Sequence, residues 1–138
     1  MEEKEVKLWS CTINIPIYGS IIKFFYGDPD EFLDTIRKEY RCTFDNFDGF
    51  CHGYCAFLEK THGKYTDQNI IFYINSDDMP NGMKKIHTIH HEAIHAAWFI
   101  LDNAGIKLSD DNHEPLTYLE GYIAEKVDDI IEKWKKKK

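Results

Sequence analysis

The sequence predicts an α+β domain in which helices pack on a small mixed or antiparallel sheet. β-Branched and aromatic residues dominate several short segments within the first 75 positions, a helix-initiation signal lies between them, and two long helical patterns follow. Because the 138 residues contain no repeat or linker-like stretch, we expect a single domain spanning residues 1–138. A hydrophobic content of 43% supplies a packed core and excludes intrinsic disorder.

The first half of the chain is predicted to begin with a β-hairpin. Residues 8–17 and 21–26 have strand composition, and residues 18–20 between them favour a turn. A helix is expected next, because Asp28 is a capping residue and Pro29 suits the first helical position. The predicted apolar stripe of this helix consists of Phe32, Leu33, Ile36 and Tyr40.

Two strands and two helices complete the predicted order β-β-α-β-β-α-α. The clearest strand covers residues 69–75, and a weaker one falls within residues 50–58. A long helix is expected from about residue 83 to 104, where Gly105 provides a C-terminal cap. The last helix is predicted to start near residue 111 or 112 and to end near residue 134.

The long helix is expected to be central and largely buried, because apolar residues cover most of its circumference. Ile94 and Trp98 extend its apolar face on one side. Gly121 in the last helix is expected to permit a close approach between the two helices, since a glycine inside a helix otherwise costs stability.

Charge and hydropathy limit the expected partners and location. Five of the 17 basic residues are lysines within the last six positions, so the rest of the chain holds 12 basic against 24 acidic residues. Such an acidic body repels phosphate backbones, and we expect no duplex nucleic acid as the main partner. No apolar run is long enough for a membrane span, so no membrane partner is expected. The charged start lacks the apolar core of a signal peptide, which predicts a cytoplasmic location.

The four cysteines, at positions 11, 42, 51 and 55, are expected to be reduced thiols. Cys51, His52, Cys55 and Cys42 are a candidate structural zinc site, but their spacing is looser than that of a CxxC knuckle. If the segment is a strand, Cys51 and Cys55 lie about 13 Å apart, too far to share one metal. Buried free thiols are therefore the expected state.

The strongest functional signal is an HExxH sequence in the long helix. Four of the seven histidines lie between positions 87 and 95. His91 and His95 are one helical turn apart on one face, so both imidazoles can bind the same Zn²⁺. Glu92 flanks that position and can accept a proton from a metal-bound water. We therefore predict a zinc site with these two histidine ligands and Glu92 as general base.

A catalytic zinc of this type requires a third protein ligand. The extended HExxHxxGxxH pattern is absent, because Trp98 and Leu101 occupy its later positions. Asp102 lies too far along the same helix. A turn between the two helices can instead bring the start of the last helix to the metal. The candidate ligands there are Asp110, Asp111, His113 and Glu114.

With this motif the sequence resembles the zincin metallopeptidases, and among them the gluzincin type, whose third ligand is a glutamate of the following helix. Thermolysin-like enzymes carry an Asn-Glu pair there. This chain has Asn112, His113 and Glu114, with Glu114 nineteen residues beyond His95. The resemblance covers residues 69–125 and implies Glu114 as the third ligand. The inserted His113 is the alternative, followed by the aspartates.

Several residues are candidates for a supporting role around the metal. His87 lies one turn before His91, and His90 points to a different side of the helix. Tyr118 and Tyr122 follow Glu114 at intervals of four residues, so they share a helix face with the proposed ligand. From that face a tyrosine hydroxyl can stabilise the oxyanion of a tetrahedral intermediate. The alternative for both tyrosines is core packing.

The resemblance implies a zinc-dependent hydrolase that cleaves a peptide or protein. In zincins an edge strand upstream of the HExxH helix pairs with an extended substrate, and residues 69–75 are the candidate if they form an edge. The segment 110–119 also resembles small HExxH proteins of bacteriophages and mobile elements. This second resemblance spans much of residues 8–125 and implies a host-cytoplasmic location, but it implies no particular substrate. The alternatives are a non-catalytic, zinc-stabilised binding or inhibitor protein of phage origin and a metal-free domain. A monomer or small homo-oligomer is expected.

Overall fold

The computed structural model describes residues 6–40, 52–57, 70–77 and 84–137. Within these ranges the chain has the predicted α+β class and element order. Its elements are β1 (Leu8–Ile15), β2 (Ser20–Gly27), α1 (Pro29–Tyr40), β3 (Gly53–Phe57), β4 (Ile70–Asn75), α2 (Lys85–Asn103) and α3 (Glu114–Lys135).

The predicted hairpin is confirmed, with a short 3-10 helix over Pro16–Tyr18 between its strands. Gly19 follows this helix at φ 63°, a left-handed conformation that glycine adopts without strain. Its backbone N–H donates to the carbonyl of Pro16 at 3.1 Å. β1 and β2 then pair without interruption from Leu8 opposite Gly27 to Ile15 opposite Ser20.

The sheet is mixed, with the order β1-β2-β4-β3. β2 and β4 are parallel, whereas β1–β2 and β3–β4 are antiparallel. All six residues of β4 are buried, because helices cover both faces of the sheet at this strand. β4 is thus interior, and the outer strands of the described sheet are β1 and β3. The strand predicted over residues 69–75 is therefore not an edge.

Helices occupy both faces of the sheet. On one face, α1 buries Phe32 against Tyr73 of β4, with ring centroids 4.2 Å apart. The predicted cap of α1 is confirmed, since the N–H of Glu31 donates to Asp28 Oδ2 at 3.0 Å. On the opposite face, α2 and α3 pack on β-strand residues that alternate with those facing α1, among them Ile22, Phe24, Phe72 and Ile74.

The last helix is anchored at its C-terminal end. The indole of Trp134 stacks on Trp9 at 5.5 Å and on Phe24 at 5.6 Å between ring centroids. The lysines around Trp134 are exposed, as expected for a solvated helix end. This stacking connects α3 to the first two strands.

α2 is less buried than its composition predicts. Its sheet-facing residues include Ile89, Ala93 and Ala96, but Ile94 is 44% exposed and Trp98 is 52% exposed. The prediction that these two residues extend the buried face is wrong, because that side of α2 faces neither the sheet nor α3. No helix in the described part of the chain has the length and apolarity that crossing a membrane requires.

Candidate metal centre

The HExxH residues lie in the first half of α2, whose start is tied to the end of β4. Lys85 Nζ donates to the carbonyl of Asn75 at 2.6 Å and also to the carbonyl of Asp77. Because the apolar side of α2 faces the sheet, the side chains of His91 and His95 point outward and are exposed.

His91, Glu92 and His95 form one compact group. Their potential ligand atoms all lie within 4.8 Å of one another. The two imidazole centroids are 5.2 Å apart, with the rings inclined by 68°. Glu92 is only 7% exposed, so a buried carboxylate stands beside two solvent-accessible imidazoles. The predicted proximity of these three side chains is confirmed.

Burial controls the protonation of this group. Desolvation raises the pKa of Glu92 from 4.5 to about 7. Desolvation, followed by the neighbouring His91, lowers the pKa of His95. A neutral imidazole is the form that binds a metal, and two imidazole nitrogens with a carboxylate suit a divalent cation such as Zn²⁺.

β3 packs directly against the turn of α2 that contains Glu92. A Cβ added to Gly53 would lie 2.7 Å from Thr88 Cγ2 and 2.9 Å from Glu92 Cγ. Only a glycine therefore allows this strand to lie so close to the helix. This contact was not predicted, although a glycine within a strand is a signal of close approach.

Cys55 lies two residues after Gly53 in β3, on the same face of the strand. Burial raises its pKa well above 9.0, and the carboxylate of Glu92 raises it further. Cys55 and Cys11 are free thiols, as expected, but both are half-buried rather than fully buried. Of the other members of the candidate cysteine zinc site, His52 directly precedes β3, whereas Cys42 and Cys51 lie outside the described residues.

The predicted third ligand stands apart from the histidine pair. Glu114 is the exposed first residue of α3, and His113 occupies the capping position before it. Neither belongs to the group of potential ligand atoms around His91, and the same holds for Asp110 and Asp111 in the turn before α3. Glu114 as third ligand, and His113 as its alternative, stay predictions.

The two tyrosines proposed to support the metal lie elsewhere. Tyr118 is 76% exposed and Tyr122 is 43% exposed, so neither is a core residue. Both line a groove with Glu114 and the turn after β1, and no residue of α2 lines that groove. The structure thus does not group them with the histidine pair. His87 is exposed on α2, one turn before His91.

α3 meets α2 beside the motif through a polar contact. His90 Nδ1 lies 2.5 Å from Glu120 Oε1. No local sequence pattern predicts the contact between His90 and Glu120, because it depends on how α2 and α3 are aligned. The expected role of Gly121 is wrong, since a Cβ at this position would meet nothing within 4 Å.

Comparisons of the chain with protein-family models, with curated proteins and with solved structures give no match.

Proposed function

We propose that the protein is a Zn²⁺-dependent hydrolase that cleaves a peptide bond in a peptide or protein. The observation that carries this proposal is the group formed by His91, Glu92 and His95 on the open side of α2. Its two exposed imidazoles leave room for a substrate, and its buried carboxylate has a pKa near neutrality.

Each residue of the group has a distinct role in this proposal. His91 and His95 hold the cation, with Glu114 proposed as the third ligand in the gluzincin manner. Bound zinc supplies a polarised water and a Lewis acid for the scissile carbonyl. The carboxylate of Glu92 accepts the proton of the attacking water and delivers it to the leaving amine nitrogen. In the metal-free protein, burial raises the pKa of this carboxylate toward neutrality, which favours a proton acceptor that can also donate.

β3 supports an extended substrate beside this group. The N–H of Asn75 donates to the carbonyl of His52 at 2.9 Å, so these two residues form a hydrogen-bonded pair. Along the two strands such pairs alternate with pairs whose backbone groups point outward, and Cys55 belongs to a pair of the second kind. In such an antiparallel ladder the amide and carbonyl of Cys55 point away from β4. Residues 69–75 were a candidate for substrate pairing only as an edge strand, and the interior position of β4 weakens that support for a peptidase. Among the described strands, the outer one next to the metal group is β3, and we propose it for this role instead.

Metal analysis and hydrolysis of casein by untagged protein test the proposal. We expect one zinc per chain in the wild type and in Glu92→Gln, but hydrolysis only in the wild type. Glu125→Gln, an exposed acid of α3, is the matched control and is expected to retain activity. Equal hydrolysis by the wild type and Glu92→Gln would refute the assigned mechanism.

The alternative is a non-catalytic binding or inhibitor protein that zinc stabilises. The position of Glu114 outside the histidine group favours it, because a catalytic zinc needs a third ligand. In that case zinc raises the melting temperature of the wild type and of Glu92→Gln alike, and neither protein cleaves casein. Absence of stoichiometric zinc from the untagged protein would contradict both functions.

A further inference from the structure

A long groove separates β1 and the turn after it from α3. Its apolar part has a volume of about 670 Å³ and lies between residues 15–18 and the first turns of α3. Its polar part, of about 440 Å³, lies between residues 12–14 and the later turns of α3, as far as Lys133. Pro16 and Tyr122 line both parts, which therefore adjoin each other. α3 and β1 run in opposite directions along the groove, because the first turns of α3 face residues 15–18 and its later turns face residues 12–14.

The apolar part exposes large side chains that face no core. Ile17 is 83% exposed, Tyr118 is 76% exposed and Tyr122 is 43% exposed. Single exposed apolar residues are common on protein surfaces, but a contiguous apolar patch with a polar rim marks an interaction site. Here the rim consists of Glu114 at one end and the polar part of the groove at the other.

The strand beside the groove lacks the usual protection of an edge. β1 contains neither a charged residue nor a proline over its eight positions, and it pairs with β2 without a bulge. No strand within the described ranges pairs with its other side. Proteins normally protect such a long regular edge with lysine, proline or a bulge, because it is ready to accept another strand.

The hydrogen-bond alternation identifies the groups that face this edge. The N–H of Asp28 donates to the carbonyl of Lys7 at 2.8 Å, so these two residues form a hydrogen-bonded pair. Along an antiparallel ladder such pairs alternate with residues whose N–H and C=O point outward. Ser10, Thr12 and Asn14 therefore direct their backbone groups away from β2.

We propose that the outer edge of β1 and the adjoining groove are a docking site for an extended peptide segment of a partner protein. The segment adds a fifth strand beside β1 and lays alternate side chains against α3. The backbone of β1 supplies hydrogen bonds, and the groove selects the side chains. An antiparallel orientation follows the more stable of the two pairings and makes the segment run in the direction of α3.

The spacing along α3 defines the sequence that fits. Tyr118, Tyr122 and Lys126 are successive residues on one stripe, separated by about 6 Å of helix rise. Alternate residues of a strand are about 6.8 Å apart, which nearly matches. Lys126 Nζ lies 5.6 Å from the ring centroid of Tyr122. The polar part of the groove is lined by two cations, Lys126 and Lys133, and by one acid, Asp129, so its net charge is positive. The matching pattern is apolar-x-apolar-x-acidic.

Binding of a fluorescein-labelled peptide, Ser-Leu-Thr-Leu-Thr-Glu-Ser with blocked ends, to the full chain tests this pattern by fluorescence anisotropy. We expect saturable binding that weakens at least about fivefold when lysine replaces glutamate in the peptide. The variant Lys126→Glu should reverse this preference and bind the lysine peptide more tightly. Indifference of both proteins to the peptide charge would overturn the proposal.

The strand edge is tested separately at Thr12. Thr12→Pro removes an N–H that points outward and leaves the hydrogen bonds to β2 intact, whereas Thr12→Val retains that N–H. We expect Thr12→Pro to weaken peptide binding at least about tenfold more than Thr12→Val does, with circular dichroism as the folding control. If Thr12→Pro does not fold, the charge reversal at Lys126 decides alone. A wild-type dimer in light scattering that Thr12→Pro dissociates would overturn the proposal, because the edge would then hold a second copy.

Discussion

The buried carboxylate of Glu92 makes the stability of the metal-free protein depend on pH. Its pKa rises from 4.5 in a solvated chain to about 7 in the folded protein, because the side chain is only 7% exposed. Below pH 4.5 both states carry the proton, and the folded state loses nothing. Between pH 4.5 and 7 the unfolded chain releases the proton first, so the free energy of unfolding falls as pH rises.

The size of this effect follows from the two pKa values. Each tenfold change in proton affinity is worth about 1.4 kcal/mol, so complete ionisation of Glu92 costs the folded state about 3 kcal/mol above pH 7. Glu92→Gln removes the charge at every pH. We therefore expect the variant to be about as stable as the wild type at pH 4.5 and about 3 kcal/mol more stable at pH 8.

Urea unfolding of untagged, chelator-treated protein, followed by tryptophan fluorescence, measures this difference at both pH values. Glu125→Gln is the matched control, because this exposed glutamate of α3 should shift stability by no more than about 0.5 kcal/mol at either pH. The lowered pKa of His95 affects the wild type and both variants and largely cancels. A gain for Glu92→Gln that is the same at pH 4.5 and pH 8 would refute the reasoning.

Four further substitutions test the packing and the metal site. Gly53→Ala should lower the free energy of unfolding by about 1–3 kcal/mol in urea titrations, because its Cβ would meet two atoms of α2 at 2.7 and 2.9 Å. Gly121→Ala, which meets nothing within 4 Å, should instead raise it by up to about 1 kcal/mol. Trp134→Ala should cost about 3 kcal/mol by the same assay, since it removes the stacking of α3 on β1 and β2. Zinc at one hundred times its Kd should stabilise the wild type by about 2.7 kcal/mol in calorimetry, and His95→Ala should abolish this gain.

Elements with local signals were predictable from the sequence. The cap of α1 depends on Asp28 and its neighbours alone, and the turn after β1 depends on Gly19. The HExxH group is local as well, because residues four apart on a helix share a face wherever that helix packs. Its proximity in space therefore followed from the sequence, together with the α+β class.

Features that depend on contacts between distant segments were not predictable. The periodicity of α2 shows an apolar side but not which part of it the sheet and α3 cover, so Ile94 and Trp98 were wrongly expected to be buried. Glu92 is covered by β3 at Gly53, a residue that is distant from it in the sequence. Likewise, the spacing of Tyr118 and Tyr122 indicates one stripe of α3 but not that this stripe faces β1.

α3 contributes to both proposed sites through different sides. Glu120 contacts His90 on α2, whereas Tyr118 and Tyr122 line the groove, to which α2 contributes no residue. A peptide in the groove thus contacts no residue of α2, but Glu114, the proposed third ligand, also lines the groove and belongs to both proposed sites. In the variant Glu114→Gln, we therefore expect zinc affinity in calorimetric titrations to be equal with and without saturating peptide, and thermodynamic linkage requires the converse for peptide affinity. A change of more than about fivefold would contradict this independence. If that change disappeared in Glu120→Gln, the contact with His90 would be the route by which α3 couples the sites.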